Sequence, residues 1–134
     1  MGDWIRDDYC FVCGKKNPYG FKLDITTTPE GKAFVELVPA REYQGYGGVL
    51  HGGIAATLLD EIMVYAAYGV GKPVATVKLT VRYRKPVPIG QKIRVEGEVK
   101  SVSGRKVQAV GRILNSEGDV LVEAESLMYE VKAD

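Results

Sequence analysis

"GGIAATLLDEIMVYAAYG", residues 52–69, decides how the rest of the chain must be arranged. It holds good helix formers, no proline and a glycine at each end, and so predicts a helix from Gly52 to about Tyr68. At about 100° per residue, Ile54, Leu58, Glu61, Tyr65 and Tyr68 share one side and Ala56, Asp60, Val64 and Ala67 another. Apolar residues therefore lie all round it. A helix with so little polar surface is buried, and the remainder of the chain has to wrap it.

The wrapping is legible on both sides. Upstream, "FKLDITT" (21–27) alternates, "PEGK" (29–32) turns and "AFVELVP" (33–39) is apolar and β-prone, which together read as a hairpin. "AREYQGYGGVL" (40–50) has no clean period and is an irregular approach to the helix. Downstream, "VATVKLTVRYRK" (74–85) places Val77, Leu79, Val81 and Tyr83 on one face and Lys78, Thr80, Arg82 and Arg84 on the other. "PVPIG" (86–90) breaks it. "QKIRVEGEVKSVS" (91–103), "VQAVGRILN" (107–115) and "VLVEAESLMYEVK" (120–132) follow, joined by the turns "GRK" and "SEGD". The class is α+β, in the order β-β-α-β-β-β-β. Four strands joined by short turns predict an antiparallel meander, and one helix cannot cover both faces of a six-stranded sheet, so the sheet curls around it.

At 134 residues, without repeat or linker, the chain is expected to be a single domain over 1–134, with residues 1–20 as an N-terminal loop. A 46 % apolar and 26 % charged composition is that of an ordinary globular protein, and a formal charge of +1 offers no net field for nucleic acid or anionic lipid. No apolar run reaches the ~18 residues of a membrane span, and "MGDWIRDDYC" lacks the basic and apolar regions of a secretory signal, so a cytoplasmic location is expected. Cys10 and Cys13 form one C-x-x-C in "CFVCGKKNPYG", where Gly14, Pro18 and Gly20 indicate a looped turn. Structural thiols, a metal site completed by another subunit, or redox chemistry are its three readings; no metal site is complete within the chain.

Chemistry concentrates in "GYGGVLHGGIAATLLDE", residues 45–61, where five glycines and the only histidine precede two adjacent acids. His51 stands at the helix start, followed by Gly52 and Gly53, whose N–H groups lie at the positive end of the macrodipole with no side chain to shield them. Such an end suits an anion or an oxyanion. Asp60 sits among Ile, Leu, Ala, Met and Val, where a carboxylate must be paired, solvated through a cleft or protonated, which are also the settings of a catalytic group. Glu61 points about 100° away, and Thr57 can hydrogen-bond either acid. Gly52 and Asp60 are roughly 12 Å apart along a helix, too far to reach one reacting atom. If both are catalytic, two helices must run antiparallel across a two-fold axis, with small Ala55, Ala56, Ala66 and Ala67 permitting close approach.

Those residues, with "CFVCGKKNPYGFKL", "TVKLTVRYRKPVPIG" and "EAESLMYEV", make nearly the whole chain resemble the hotdog-fold acyl-CoA thioesterases of the PaaI-like and thioesterase-superfamily-member type. The resemblance implies a hotdog fold and hydrolysis of an acyl-CoA thioester by a homodimer assembled into a tetramer, with coenzyme A as part of the substrate and no separate cofactor or metal. It implies that the Gly52 N–H polarises the thioester carbonyl, that Asp60 acts as nucleophile or general base, that His51 positions the thioester, and that Thr76 helps hold the hydrolytic water. Gly45 stands where some relatives carry asparagine, beside Gln44. Gly53, Gln44, Thr57 and Glu61 are the expected substrate-contacting neighbours. Arg84 and Lys85, with Arg105 and Lys106, are the candidates for the phosphates of coenzyme A. Tyr43, Tyr46, Tyr65 and Tyr68 read as core residues or as lining for the acyl tail. A non-catalytic acyl-CoA-binding module and an acyl-thioester hydratase or dehydratase are the competing readings.

Overall fold

The helix forms where its sequence places it. In the computed structural model, which describes residues 7–131, α1 spans Gly52–Gly69. Residues 1–6 and 132–134 lie outside the described residues, so the expected span 1–134 and loop 1–20 are seen in part. Ala55, Leu58, Leu59, Ile62, Met63, Ala66 and Ala67 are the buried residues of α1. They face a six-stranded antiparallel sheet of β1 (Thr26–Thr27), β2 (Lys32–Leu37), β3 (Val74–Tyr83), β4 (Ile93–Ser103), β5 (Lys106–Leu114) and β6 (Val120–Glu130). This is the hotdog arrangement that the resemblance implies.

Two glycines set how closely helix and sheet approach. Gly97 of β4 and Gly111 of β5 are paired across the ladder. A Cβ on Gly97 would lie 3.0 Å from the Ile62 carbonyl oxygen, and one on Gly111 would lie 3.3 Å from Leu59 Cδ2 and Met63 Cγ. The helix backbone thus rests on bare sheet backbone. Leu59, Ile62 and Met63 are thereby fully buried, each contributing about 1.5–3 kcal/mol of transfer free energy.

Three features depart from the sequence reading. β1 holds only two residues, because the preceding chain pairs with the N-terminal loop instead: Phe21 N–H donates to Phe11 O at 3.0 Å and Leu23 N–H to Val12 O at 3.0 Å. Lys22 between them has φ of 54°, which breaks the strand. The four-strand meander is also incomplete, since the sheet order is β1-β2-β4-β5-β6-β3. β3 lies beyond β6 at one edge. Its connection to β4 is a crossover fastened to the chain before the helix, with Leu50 N–H donating to Val87 O at 2.8 Å, Ile89 N–H to Gly48 O at 2.9 Å and Gly90 N–H to Pro39 O at 2.9 Å.

The third departure bears on function. The β3–β6 register shifts between Thr76 and Lys78, so Val77 is a bulged residue, 59 % exposed, rather than a member of the Leu79–Val81–Tyr83 face. An inserted residue reverses the parity of a strand. Thr76 therefore turns toward the helix, together with buried Val74.

Candidate functional site

The glycine-rich approach ends in a helix cap made by the histidine. His51 is the N-cap, with extended backbone (φ −58°, ψ 132°), and its Nδ1 accepts the Gly53 N–H at 3.0 Å. Its carbonyl accepts the Ile54 and Ala55 N–H groups, each at 3.0 Å. With Nδ1 an acceptor, the neutral imidazole carries its proton on Nε2, and the exposed edge of the ring is a donor rather than a base. Gly53 is thus a capping partner with its N–H already engaged, contrary to the expectation of two open amides. The Gly52 N–H has no acceptor among the described residues. Tyr83 holds this end from the other side, its hydroxyl donating to Gly52 O at 2.6 Å. Sequence reasoning missed Tyr83, because the contact joins residues 31 positions apart and nothing local marks it.

A little over two turns further on, the two acids separate. Asp60 is half-buried, and its Oδ1 accepts a 2.6 Å hydrogen bond from the Thr76 hydroxyl, delivered by the β3 bulge. Burial raises the Asp60 pKa above the ordinary aspartate value; the Thr76 hydrogen bond opposes that rise and the neighbouring Glu61 charge adds to it. Glu61 faces the N-terminal loop instead, where its Oε2 accepts from Cys10 Sγ at 3.0 Å. Thr57 bonds neither acid: its hydroxyl donates to Gly53 O at 2.9 Å, the i−4 bond open to any helical threonine. Gln44 likewise serves the loop, its Oε1 accepting the Gly48 N–H at 3.0 Å. Of the expected substrate neighbours, Gly53, Gln44, Thr57 and Glu61 are therefore each engaged within the chain, and Asp60 is the carboxylate that faces β3.

The basic candidates fall into two groups at opposite ends of the sheet. Tyr83, just before Arg84, pairs with Val122, while Lys106 pairs with Tyr129. That separation along β6 is about 23 Å at roughly 3.3 Å per residue. Arg84 is ion-paired with Glu123, and Arg105 donates to Glu130 O at 3.0 Å. Lys85 and Lys106 are exposed and have no side-chain partner among the described residues. The tyrosines divide too: Tyr43 stacks on Phe21 at 4.2 Å and Tyr65 meets Tyr68 edge-on at 6.5 Å, whereas Tyr46 is 89 % exposed and belongs to no core.

The arrangement offers, at a helix N-terminus, an amide with no acceptor among the described residues beside a donor imidazole, and a half-buried carboxylate with raised pKa on the same helix. The family model of the thioesterase superfamily matches residues 47–122, from the glycine loop into β6. Acyl-coenzyme A thioesterase THEM4 of Xenopus laevis is 31 % identical over 94 residues, 70 % of this chain and 42 % of that protein. The chain thus spans less than half the length of that curated relative. A crystal structure of a thioesterase superfamily protein superposes with a TM-score of 0.87 at 30 % identity, covering 92 % of this chain and 61 % of that one. A hypothetical thioesterase of Streptococcus pneumoniae TIGR4, solved with coenzyme A, superposes with a TM-score of 0.77 at 21 % identity over 83 % of this chain and 88 % of that one. It has also been solved as two alanine variants, of an aspartate and of a threonine sixteen positions apart.

Proposed function

Because the chain belongs to the thioesterase superfamily, we propose that it hydrolyses an acyl-CoA thioester to a free acid and coenzyme A, in sites formed between two subunits. The observation that carries this reading is the Thr76–Asp60 hydrogen bond of 2.6 Å, which joins residues sixteen positions apart on a largely apolar helix and the adjoining edge strand. The S. pneumoniae protein, solved with coenzyme A, was varied at the same two residue types at the same separation.

In the proposed reaction the thioester carbonyl oxygen accepts the Gly52 N–H, and His51 Nε2–H orients the same group. Asp60 of the partner subunit supplies the attack, since Gly52 and Asp60 of one chain stand roughly 12 Å apart. As a general base, the carboxylate takes a proton from water, whose oxygen bonds the carbonyl carbon while the π pair moves onto the carbonyl oxygen. As a nucleophile, it bonds that carbon itself and water cleaves the resulting anhydride. In both routes the C–S bond breaks and the thiolate leaves as coenzyme A. Thr76 holds Oδ1 and leaves Oδ2 for the reacting atom.

Dimerisation has a surface to use. β3 is an edge strand, and Val77 and Tyr83 on it are 59 % and 54 % exposed. A second copy paired along this edge would continue the sheet, cover both side chains and set the two helices antiparallel. Lys85 and Lys106 are the cations open to the phosphates, one end of the sheet from each subunit; pairs of dimers form the expected tetramer.

The test is thiol release from short, long and aromatic acyl-CoAs, followed with a chromogenic thiol reagent, for wild type and Asp60→Asn. Turnover by wild type with a loss of about 10²–10⁴-fold in the folded variant is expected. Binding of acyl-CoA without release favours the carrier module, and absorbance change on an enoyl-CoA alone favours a hydratase.

A further inference from the structure

The Cys-x-x-Cys stretch has no part in that reaction, and the fold gives it a third partner that the sequence did not reveal. Cys10 Sγ, Cys13 Sγ and a Glu61 carboxylate oxygen all lie within 4.8 Å of one another, and all three residues are half-buried. We infer that Cys10, Cys13 and Glu61 are the protein ligands of a tetrahedral divalent metal ion of the zinc class, with solvent in the fourth position, which pins the N-terminal loop to α1.

Geometry carries the inference. Zinc–sulfur bonds of about 2.3 Å and zinc–oxygen bonds of about 2.1 Å put tetrahedral ligand atoms roughly 3.5–3.8 Å apart, a small adjustment from the spacing here. Cys10 Sγ and Glu61 Oε2 are 3.0 Å apart and would open by about 0.6 Å. The Cys13 N–H points at Cys10 Sγ at 3.5 Å, the kind of outer contact that steadies a metal-bound thiolate. The turn closes this tightly only because residue 14 is glycine: a Cβ there would lie 2.4 Å from Asp8 O and from Cys10 N. Gly14 N–H donates to Cys10 O at 2.9 Å, which fixes both sulfurs on one side of the turn.

Charge points the same way. Glu61 is half-buried, yet no Lys, Arg or His forms an ion pair with it among the described residues. A divalent cation held by two thiolates and a carboxylate supplies the missing compensation. Two soft sulfurs select the zinc class over magnesium or calcium, and a pair of thiolates is too few for the four-cysteine sites of iron–sulfur clusters. Glu61 turns away from Asp60, so the ion stands apart from the proposed hydrolytic site and its test does not depend on turnover.

These are the only two cysteines of the chain, so any thiolate–metal signal reports this site. The tag-free full chain, reduced and stripped with a chelator, is titrated with Co²⁺ and then Zn²⁺. Expected are about one Co²⁺ per chain with a near-ultraviolet sulfur-to-metal charge-transfer band, its displacement by Zn²⁺, and at least tenfold slower reaction of both thiols with a chromogenic reagent. Cys10→Ser and Cys13→Ser should each weaken or abolish the band, and Glu61→Gln should weaken Co²⁺ binding at least tenfold. Far-UV circular dichroism follows folding throughout. Should the cysteine variants unfold, Glu61→Gln and the stripped wild type still decide. No charge-transfer band at stoichiometric Co²⁺ in folded wild type overturns the site, and so does Glu61→Gln binding Co²⁺ as tightly as wild type.

Discussion

Gly52→Pro separates the proposed oxyanion donor from everything else at the helix start. Gly52 is the first residue of α1, and its N–H has no acceptor among the described residues, so replacing it by the imino nitrogen removes no internal hydrogen bond. The first helical position is where proline is best tolerated. The preceding residue must be extended, and His51 already is, at ψ 132°. A Cβ at position 52 would meet the Tyr83 ring at 3.4 Å, an ordinary contact. Stability should therefore change by less than about 1 kcal/mol. Loss of one oxyanion donor costs about 10²–10³-fold in kcat, so Gly52→Pro should fall by that factor while Gly52→Ala, which keeps the N–H, stays within a few-fold of wild type. The assay is thiol release at saturating acyl-CoA, with thermal unfolding and oligomeric state measured on the same samples. A folded Gly52→Pro protein with the oligomeric state of wild type, turning over as fast as Gly52→Ala, would refute the proposed role of this amide.

The remaining predictions concern the carboxylate and the packing beneath it. Thr76→Val removes a hydrogen bond to a charged acceptor, worth about 1.5–3 kcal/mol, and the lower half of that range suits a half-buried site; kcat/KM should drop roughly 10-fold. Because that bond opposes the upward shift of Asp60, its loss should move the acidic limb of the pH–rate profile to higher pH; a limb moving down would contradict the assignment. Asp60→Asn should be more heat-stable than wild type at neutral pH. The folded pKa lies above the unfolded one, so the native state binds the proton more tightly and wild type loses stability as pH rises from the ordinary aspartate value through the raised one. Comparing the two proteins by calorimetry at pH 3.5 and pH 7 checks this, with the difference expected only at the higher pH. Gly97→Ala should cost about 1–3 kcal/mol in urea unfolding, since its Cβ would press on the Ile62 carbonyl at 3.0 Å. Ser126→Ala should gain about 1 kcal/mol in the same assay, because the Ser126 hydroxyl is buried without a hydrogen-bond partner among the described residues.

The buried helix, all but the first of the strands around it and the placement of His51 at the start of that helix and of Gly52 and Asp60 on it were legible from local pattern alone. Each of those signals is local: a period of 3.6 or 2 within a segment, or spacing along one helix, survives whatever the rest of the chain does. Only the tertiary fold shows which of the two adjacent acids faces β3 and which faces the N-terminal loop. A helical wheel treats Asp60 and Glu61 alike, and the choice falls to a bulge on a strand sixteen positions away that reverses the parity of Thr76. The fold also sets Gly53 N–H on His51 Nδ1 and leaves Gly52 N–H without an acceptor among the described residues, since a ring torsion, not a residue type, selects the amide. Strand order belongs to the same category. Alternation shows that a segment is a strand, but which neighbour it takes depends on the crossover at residues 84–92 and on the edge that the N-terminal loop leaves to β2. The bond between Cys10 and Glu61 spans 51 positions, and only the closure of that loop onto the helix creates it.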